Sequence, residues 1–165
     1  KMIKKHIHGP IDYSRITPYI YIGTNMCAHR NCDAHFKLLS KLKIYADIDL
    51  ESERTEKPHY LKAHIWLPTK DRTPPSKTQL LVGIAALREF ELDKKRVYIH
   101  CKHGHGRSPT LVAAYFITKG MSAKKAMAII RKKRPEIHPT KLQLNFLKKF
   151  EKKFKYSKKL INKDY

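Results

Sequence analysis

The chain has 165 residues, a length that suits one domain built around a single hydrophobic core. Hydrophobic residues make up 41% and charged residues 30%, which excludes a wholly disordered chain. Lys and Arg number 36 against 14 Asp and Glu, so the formal net charge is +22. A charge of this size predicts anionic partners.

Hydropathy predicts no membrane-spanning helix. The longest run without a charged residue, residues 108–118, is 11 residues long, whereas a transmembrane helix needs roughly 20. The basic first residues lead into Gly9 and Pro10 and not into the apolar segment of a secretory signal. We therefore expect a cytoplasmic protein.

The cysteines are too few for a disulfide framework. They are Cys27, Cys32 and Cys101, and in a reducing compartment we expect free thiols. His29 and His35 lie near the first two, but this spacing is not that of a zinc finger. The sequence therefore predicts neither a metal site nor another cofactor.

Apolar periodicity predicts strands and helices that alternate along the chain. The strands fall at residues 19–22, 44–50, 63–67 and 97–100, and the helices at 34–43, 77–87, 109–119, 123–134 and from 140 onward. Ser76 and Ser122 are the expected N-caps of two of these helices. Alternation of this kind indicates an α/β domain with a central, mostly parallel sheet of four to five strands flanked by helices.

The last predicted helix carries apolar side chains at a spacing of four, which indicates a stripe packed on the core. The stripe comprises Leu142, Phe146, Phe150 and Phe154. The basic tail over residues 148–163 holds eight lysines, and we expect most of them to lie on a solvated helix face.

A glycine-rich segment follows the strand at residues 97–100. It reads Cys101-Lys102-His103-Gly104-His105-Gly106-Arg107. A tight turn at the start of a helix directs several backbone N–H groups into one space, and glycines allow a ligand to come close. Phosphate is the ligand that such a loop suits, although the sequence of a nucleotide P-loop is absent.

Cys101 opens this loop near a helix N-terminus and within reach of Arg107. Both features lower the pKa of a thiol from its usual value of roughly 8.5 and favour the nucleophilic thiolate. The planar guanidinium of Arg107 suits two phosphoryl oxygens at once, and the Ser108 hydroxyl is placed to donate to the sulfur. The segment predicts nucleophilic attack on phosphorus.

The run from His100 to Ser108, HCKHGHGRS, resembles the HC(x)5R(S/T) signature of the cysteine-dependent protein tyrosine phosphatase superfamily. The resemblance is greatest to dual-specificity phosphatases, because it extends to YIG at 21–23, AAYF at 113–116 and RPEI at 134–137. It covers roughly residues 15–150 and implies a single phosphatase domain over residues 1–165, with a basic helix or tail from about 148.

The resemblance implies a two-step reaction that needs no metal. Cys101 attacks phosphorus to give a phosphocysteine, which water hydrolyses, while Arg107 clamps the phosphoryl group and His100 fixes the loop. The other phosphate-binding positions that it implies are Lys102, His103, Gly104, His105 and Gly106.

Such a reaction needs a general acid that later acts as the base. Asp71 lies 30 residues before Cys101 in a proline-containing loop after a predicted strand, where dual-specificity phosphatases carry their acid. Asp47 and Asp49 are weaker substitutes, since strand alternation accounts for them. Thr140 stands where many family members have Asn, so either it or Gln143 would position the water.

The substrate remains open between several classes. The short chain implies a shallow pocket for phosphotyrosine and phosphoserine or phosphothreonine in proteins or peptides. The basic Lys102, His103 and His105 make the loop similar to CKAGKGR of the phosphoinositide phosphatase and tensin homologue, so a phosphoinositide or another phospholipid is the alternative. The net charge of +22 also admits RNA 5′ ends. The alternative that is not an enzyme is a non-catalytic phosphate-binding module. We expect the protein to be a monomer.

Overall fold

The computed structural model describes residues 10–27, 33–56, 58 and 60–161, with side chains through Tyr156. Strands and helices follow one another in the order β1 Tyr13–Arg15, β2 Ile20–Gly23, α1 Ala34–Lys41, β3 Ile44–Glu51, β4 Ala63–Thr69, α2 Lys77–Leu92, β5 Arg96–His100, α3 Arg107–Thr118, α4 Ala123–Lys133 and α5 Lys141–Ile161. None of the helices in this described part is long and apolar enough to cross a membrane.

A five-stranded sheet in the order β1-β2-β5-β3-β4 forms the centre of the domain. Only β1 runs antiparallel to its neighbour, so the predicted α/β domain with a mostly parallel sheet is confirmed. Strand β1 was not predicted, because its three residues are too few to show a periodic pattern.

The sheet places the glycine-rich loop at its middle. His100, the last residue of β5, pairs with Gly23 at the end of β2 and with Asp49 near the end of β3. The carboxyl ends of three parallel strands therefore meet where residues 101–106 begin, the edge at which α/β proteins bind their ligands.

Helix α3 is the central element of the main core. Its residues 107–117 are all buried, and it contacts α2, α4 and α5. A helix that is buried on all sides needs an apolar sequence, and the uncharged run at residues 108–118 provides it. On the other face of the sheet, α1 packs on β3.

Both predicted N-caps are present. The Ser76 side chain accepts from the Gln79 amide in a reciprocal capping box, and the Ser122 side chain accepts from the Lys125 amide. The first cap starts α2 directly after the loop that carries Asp71, so it fixes where that loop ends.

The α5 stripe is only in part the core face that its spacing predicted, since Phe146 and Phe150 pack against the main core whereas Leu142 and Phe154 do not. Leu142 is 56% exposed, and the three phenylalanines are only half-buried, whereas Gln143 and Leu147 are fully buried. The helix packs through the face of these two residues, which leaves the aromatic side chains at the edge of the helical layer. Spacing alone does not reveal this rotation about the helix axis.

Two glycines let β2 approach its neighbours closely. A Cβ on Gly23 would lie 2.6 Å from Cζ of the buried Tyr98 ring. A Cβ on Gly104 would lie 2.5 Å from the Gly23 carbonyl oxygen, and Gly104 also has a φ of +68°, which favours glycine. The loop therefore lies against the end of β2 with no room for side chains between them.

We expect Gly23→Ala to lower the free energy of unfolding by about 1–3 kcal/mol, because the new methyl group meets a ring that has nowhere to move. The penalty should be smaller in a Tyr98→Phe background, which lacks the hydroxyl nearest to that methyl group. Urea unfolding of the four variants measures both effects. Equal penalties in the two backgrounds would show that the close approach is not the cause.

Candidate active site

The carbonyl groups of the glycine-rich loop point away from its centre. Those of residues 102–105 each accept a hydrogen bond from outside the loop, the donors being the Asn25 amide, two nitrogens of Arg134 and the His138 amide. Because the carbonyls are held outward, amide groups face inward, and those of Gly104 and Ser108 reach the Cys101 sulfur. This orientation of the amides is the one that an anion-binding nest requires.

Arg134 holds this arrangement from behind. Its fully buried guanidinium donates to the carbonyls of His103 and Gly104 at 3.0 and 3.1 Å, and Asp12 balances its charge through contacts of 3.0 and 2.7 Å. The sequence showed Arg134 only as part of a resemblance and gave no role for it, since its partners lie about 30 and 120 residues away.

Cys101 is 3% exposed, at the junction of β5 and the loop. Burial raises the pKa of its thiol, but hydrogen bonds from the Ser108 hydroxyl and amide, the Arg107 charge and the Gly104 amide together lower it below its ordinary value. The buried Ser108 hydroxyl has no oxygen or nitrogen partner, so its proton is available to the sulfur. These contacts favour the thiolate.

Arg107 begins α3 and directs its guanidinium towards the same pocket. Its Nη1 donates to the Thr69 carbonyl at 2.9 Å and to Glu53 Oε2 at 2.8 Å, and its Nη2 lies 3.3 Å from Asp71 Oδ1. Only 2% of the residue is exposed, so its rotamer is fixed. Glu53 was not identified from the sequence, because it lies in an irregular segment after β3 without a motif.

Asp71 lies in the loop between β4 and α2, with its side chain 62% exposed. This loop is tied to the start of α5 by Thr140, whose hydroxyl donates to the Arg72 carbonyl at 2.9 Å. Gln143 adds a bond of 2.9 Å from its side-chain nitrogen to the Thr73 carbonyl. Both residues proposed to position water therefore also fix the loop of the proposed acid.

His100 is buried among carboxylates behind the loop. Its Nε2 lies 3.2 Å from Asp47 Oδ2 and 3.5 Å from Glu56 Oε2, and its Nδ1 lies 3.6 Å from Asp49 Oδ1. Burial lowers the pKa of His100, but Asp47, Glu56 and Asp49 raise it to about 9. The raised pKa favours an imidazolium directly before the proposed nucleophile.

This network explains the acidic residues of β3 better than strand alternation does. Asp47 and Asp49 are both fully buried and do not line the pocket that contains Cys101. They are therefore not placed to protonate a leaving group there. Their role is to hold and charge His100, which the alternating pattern of the strand concealed.

The pocket at the carboxyl edge has a volume of about 650 Å³. Asp71, Cys101, Arg107, Thr140 and Gln143 line it, and Asp71 is the one carboxylate among its described lining residues. Its mouth is basic, with Arg72, Lys102, His103, His105, His138 and Lys141. The pocket thus brings together the proposed nucleophile, phosphate clamp and acid.

Two side-chain clusters in the described part have metal-ligating atoms within 4.8 Å of one another, namely Asp12 with His105 and Glu136, and Asp49 with Glu56 and His100. In the first cluster, the carboxylates of Asp12 and Glu136 already pair with the Arg134 guanidinium. In the second, the protonated His100 ring is itself the cation that the two carboxylates contact.

The cysteines and histidines near residue 30 form a separate group. The Cys27 amide donates to His35 Nδ1 at 3.2 Å, while Cys32 and His29 lie outside the described residues.

A family comparison identifies the family of the domain. The sequence profile described as "Dual specificity phosphatase, catalytic domain" matches residues 20–153. The chain belongs to the dual-specificity phosphatase family. The resemblance drawn from HCKHGHGRS is therefore confirmed, and this dual-specificity phosphatase domain is of a hydrolase family.

Its relatives include phosphatases named for different substrates. The domain is 39% identical over 88 residues to human phosphatidylglycerophosphatase and protein-tyrosine phosphatase 1, covering 52% of this chain and 44% of that protein. It is 28% identical over 134 residues to dual specificity protein phosphatase 5 of Rattus norvegicus, covering 79% and 33%. The chain spans less than half the length of these curated relatives.

A solved structure shares the fold. The crystal structure of PTPMT1 in complex with PI(5)P superposes with a TM-score of 0.74 at 24% identity, over 88% of this chain and 97% of that one. At this identity the similarity concerns the fold alone.

We expect alkylation of Cys101 by iodoacetamide to reach half its maximal rate at a pH below the usual thiol pKa of roughly 8.5, because the pKa of this thiol is lowered. Ser108→Ala should raise this midpoint, because it removes a hydrogen bond to the sulfur. Mass spectrometry of the Cys101 peptide against pH measures the rate, and the Cys27 peptide of the same digest is the control. An unchanged midpoint in Ser108→Ala would contradict the assignment.

Proposed function

We propose that this domain hydrolyses phosphomonoesters through a phosphocysteine at Cys101. The observation that carries the proposal is a buried thiol of lowered pKa at the base of a pocket that also contains Arg107 and Asp71. A structural cysteine needs neither the converging amides nor the fixed guanidinium.

In the first step the Cys101 thiolate attacks phosphorus, and the bond from phosphorus to the leaving oxygen breaks. Arg107 and the inward amides stabilise the charge on the equatorial oxygens, as in other phosphoryl transfers. Glu53 and Asp71 now share the Arg107 guanidinium, and an entering phosphate competes with both carboxylates for it. Once phosphate has displaced Asp71 from Arg107, its carboxylate takes up a proton from solvent and donates that proton to the departing oxygen.

In the second step water attacks the phosphocysteine and sulfur leaves. Asp71, now a carboxylate, accepts the proton of the water, and the Ser108 hydroxyl donates to the departing thiolate. Thr140 and Gln143 hold the Asp71 loop at the pocket, so they position the base towards the water. Phosphate then leaves and the free thiolate is restored.

Asp71→Asn tests the acid through the leaving group. We expect about a 100-fold fall in kcat with an alkyl phosphate, whose alkoxide must be protonated, and less than about a 10-fold fall with p-nitrophenyl phosphate. Glu53→Gln is the matched control, since Glu53 also contacts Arg107, and its effect should be equal for the two substrates. Equal losses in Asp71→Asn would remove this residue from the role.

The first substrate class that we propose is phosphoproteins. At about 650 Å³ the pocket is much larger than one phosphate, so it accommodates the side chains of phosphotyrosine, phosphoserine and phosphothreonine. A second class, anionic phospholipids with a phosphorylated headgroup, is favoured by the three cationic side chains that line the pocket, Arg72, Lys102 and Lys141, to which its histidines add charge only when protonated. These charges attract a substrate with more negative charge than the reacting phosphate alone.

A panel of substrates distinguishes these classes. It comprises phosphotyrosine and phosphoserine peptides, phosphoinositide and phosphatidylglycerophosphate vesicles, and 5′-triphosphorylated RNA. We expect Cys101→Ser to abolish phosphate release from every substrate that the wild type hydrolyses. No turnover of any member by the wild type would favour a phosphate-binding module instead.

Lys102→Gln refines the assignment, because Lys102 lies at the pocket mouth beside the nucleophile. We expect kcat/KM to fall about 10-fold on vesicles and about 2-fold on peptides if lipids are the substrate class. Lys148→Gln, an exposed lysine of α5 that does not line the pocket, is the control and should change neither. Equal falls with Lys102→Gln would favour the peptides.

A further inference from the structure

A second concave surface lies between α2 and α5, separate from the pocket that contains Cys101. It consists of two adjoining hollows of about 370 and 590 Å³, which share Leu81, Phe150 and Phe154. We call this surface the α2–α5 groove. None of its lining residues lines the pocket with Cys101, so the proposed reaction does not account for it.

Apolar side chains from both helices form the floor of the groove. Helix α5 contributes the phenylalanines 146, 150 and 154, whose rings stack with centroids 6.4 and 6.1 Å apart. Helix α2 contributes Leu81, Ile84 and Leu92, and Leu81 and Leu92 are 52% and 64% exposed. The three phenylalanines of the α5 stripe, of which Phe146 and Phe150 also pack against the main core, are thus one wall of an open apolar surface.

The shape of the groove suits a third helix. Helix α2 contributes seven lining residues, and five of them, Lys77, Leu81, Ile84, Arg88 and Leu92, recur at intervals of three and four, while Leu80 and Glu91 flank that row. This is the spacing at which one helix face packs against another. Because α2 has 16 residues and a helix rises about 1.5 Å per residue, the groove accommodates about four turns of a docked helix. Amphipathic helices bind such grooves through apolar side chains at matching intervals.

The charges around the groove are mainly positive. Lys77, Arg88, Lys149 and Lys153 line it, whereas its one acidic lining residue, Glu91, is already paired with Lys119. Charge complementarity therefore calls for acidic residues on the polar face of the docked helix.

The same charges argue against occupants from this chain. A second copy would bring another basic groove and a further net charge of +22. Residues 1–9 carry three lysines and no acidic residue, so they share the sign of the groove. A concave surface also suits an inserted helix better than the flat face of a membrane.

We propose that the α2–α5 groove docks an acidic amphipathic helix of a partner protein. The helix places apolar side chains over Leu81 and the stacked phenylalanines, and its carboxylates face the lysines around the groove. This docking is separate from phosphate release at Cys101, so it brings a partner to the domain whether or not that partner is a substrate.

The test uses the full chain and a fluorescein-labelled peptide of roughly 18 residues, with Leu at intervals of three and four and Glu at most other positions. Leu81→Glu should weaken binding at least about 10-fold, because it removes an anchor and repels the acidic face. Val82→Glu is the matched control, since Val82 is the next residue and is 46% exposed but does not line the groove. We expect it to change affinity by less than about 2-fold.

Further peptides and readouts separate the alternatives. A peptide of the same composition with its leucines scrambled should bind at least about 10-fold more weakly, and equal binding would show attraction by charge alone. Hydrolysis of p-nitrophenyl phosphate should be unchanged in both variants, so a failure of docking is distinguishable from a failure of catalysis.

Three other results would overturn the proposal. The first is acidic-peptide binding that is absent or insensitive to Leu81→Glu. The second is binding of the domain to anionic phospholipid vesicles that the peptide does not compete away and that Leu81→Glu abolishes. This result would assign the groove to a membrane. The third is a dimer in sedimentation that Leu81→Glu disperses, which would assign it to a second copy.

Discussion

The chemistry proposed for this domain depends on keeping carbonyl oxygens away from the buried Cys101 sulfur. The loop after β5 does so because the Arg134 guanidinium holds the carbonyls of His103 and Gly104 on its outer side. A buried cation is costly unless it is paired, and Asp12 and Glu136 provide the pairing. With its carbonyls held outward, the loop presents amide dipoles to the sulfur and to any phosphate above it.

The same field serves the nucleophile and the substrate. Burial alone would raise the pKa of Cys101, so the site must supply positive potential from fixed groups. The Ser108 hydroxyl and amide, the Arg107 charge at the start of α3 and the Gly104 amide supply it. Because these groups are buried and fixed, a dianion that binds has only to displace the Glu53 and Asp71 carboxylates from Arg107.

The parts predicted from sequence are those in which local chemistry and chain order coincide. The strand, glycine-rich turn and helix around Cys101 are consecutive, and Ser76 and Ser122 cap helices within three residues of their partners. The roles of Arg134 and Glu53 were not predicted, because the residues that they contact are distant in sequence. The contacts of Asp47 and Asp49 with His100 were not predicted, because an alternating strand has the same sequence pattern whether its polar face contacts solvent or a buried histidine. The α5 stripe shows the same limit for apolar residues, since their spacing identifies one face of a helix but not what covers that face.

The most direct test of the account is to trap the covalent intermediate. The wild-type domain is mixed with p-nitrophenyl phosphate, quenched in acid within the first turnover, digested and analysed by mass spectrometry. The account predicts one phosphoryl group on the peptide that contains Cys101, and none on that peptide in Cys101→Ser. Turnover with no phosphorylated Cys101, or a phosphoryl group on another residue, would contradict it.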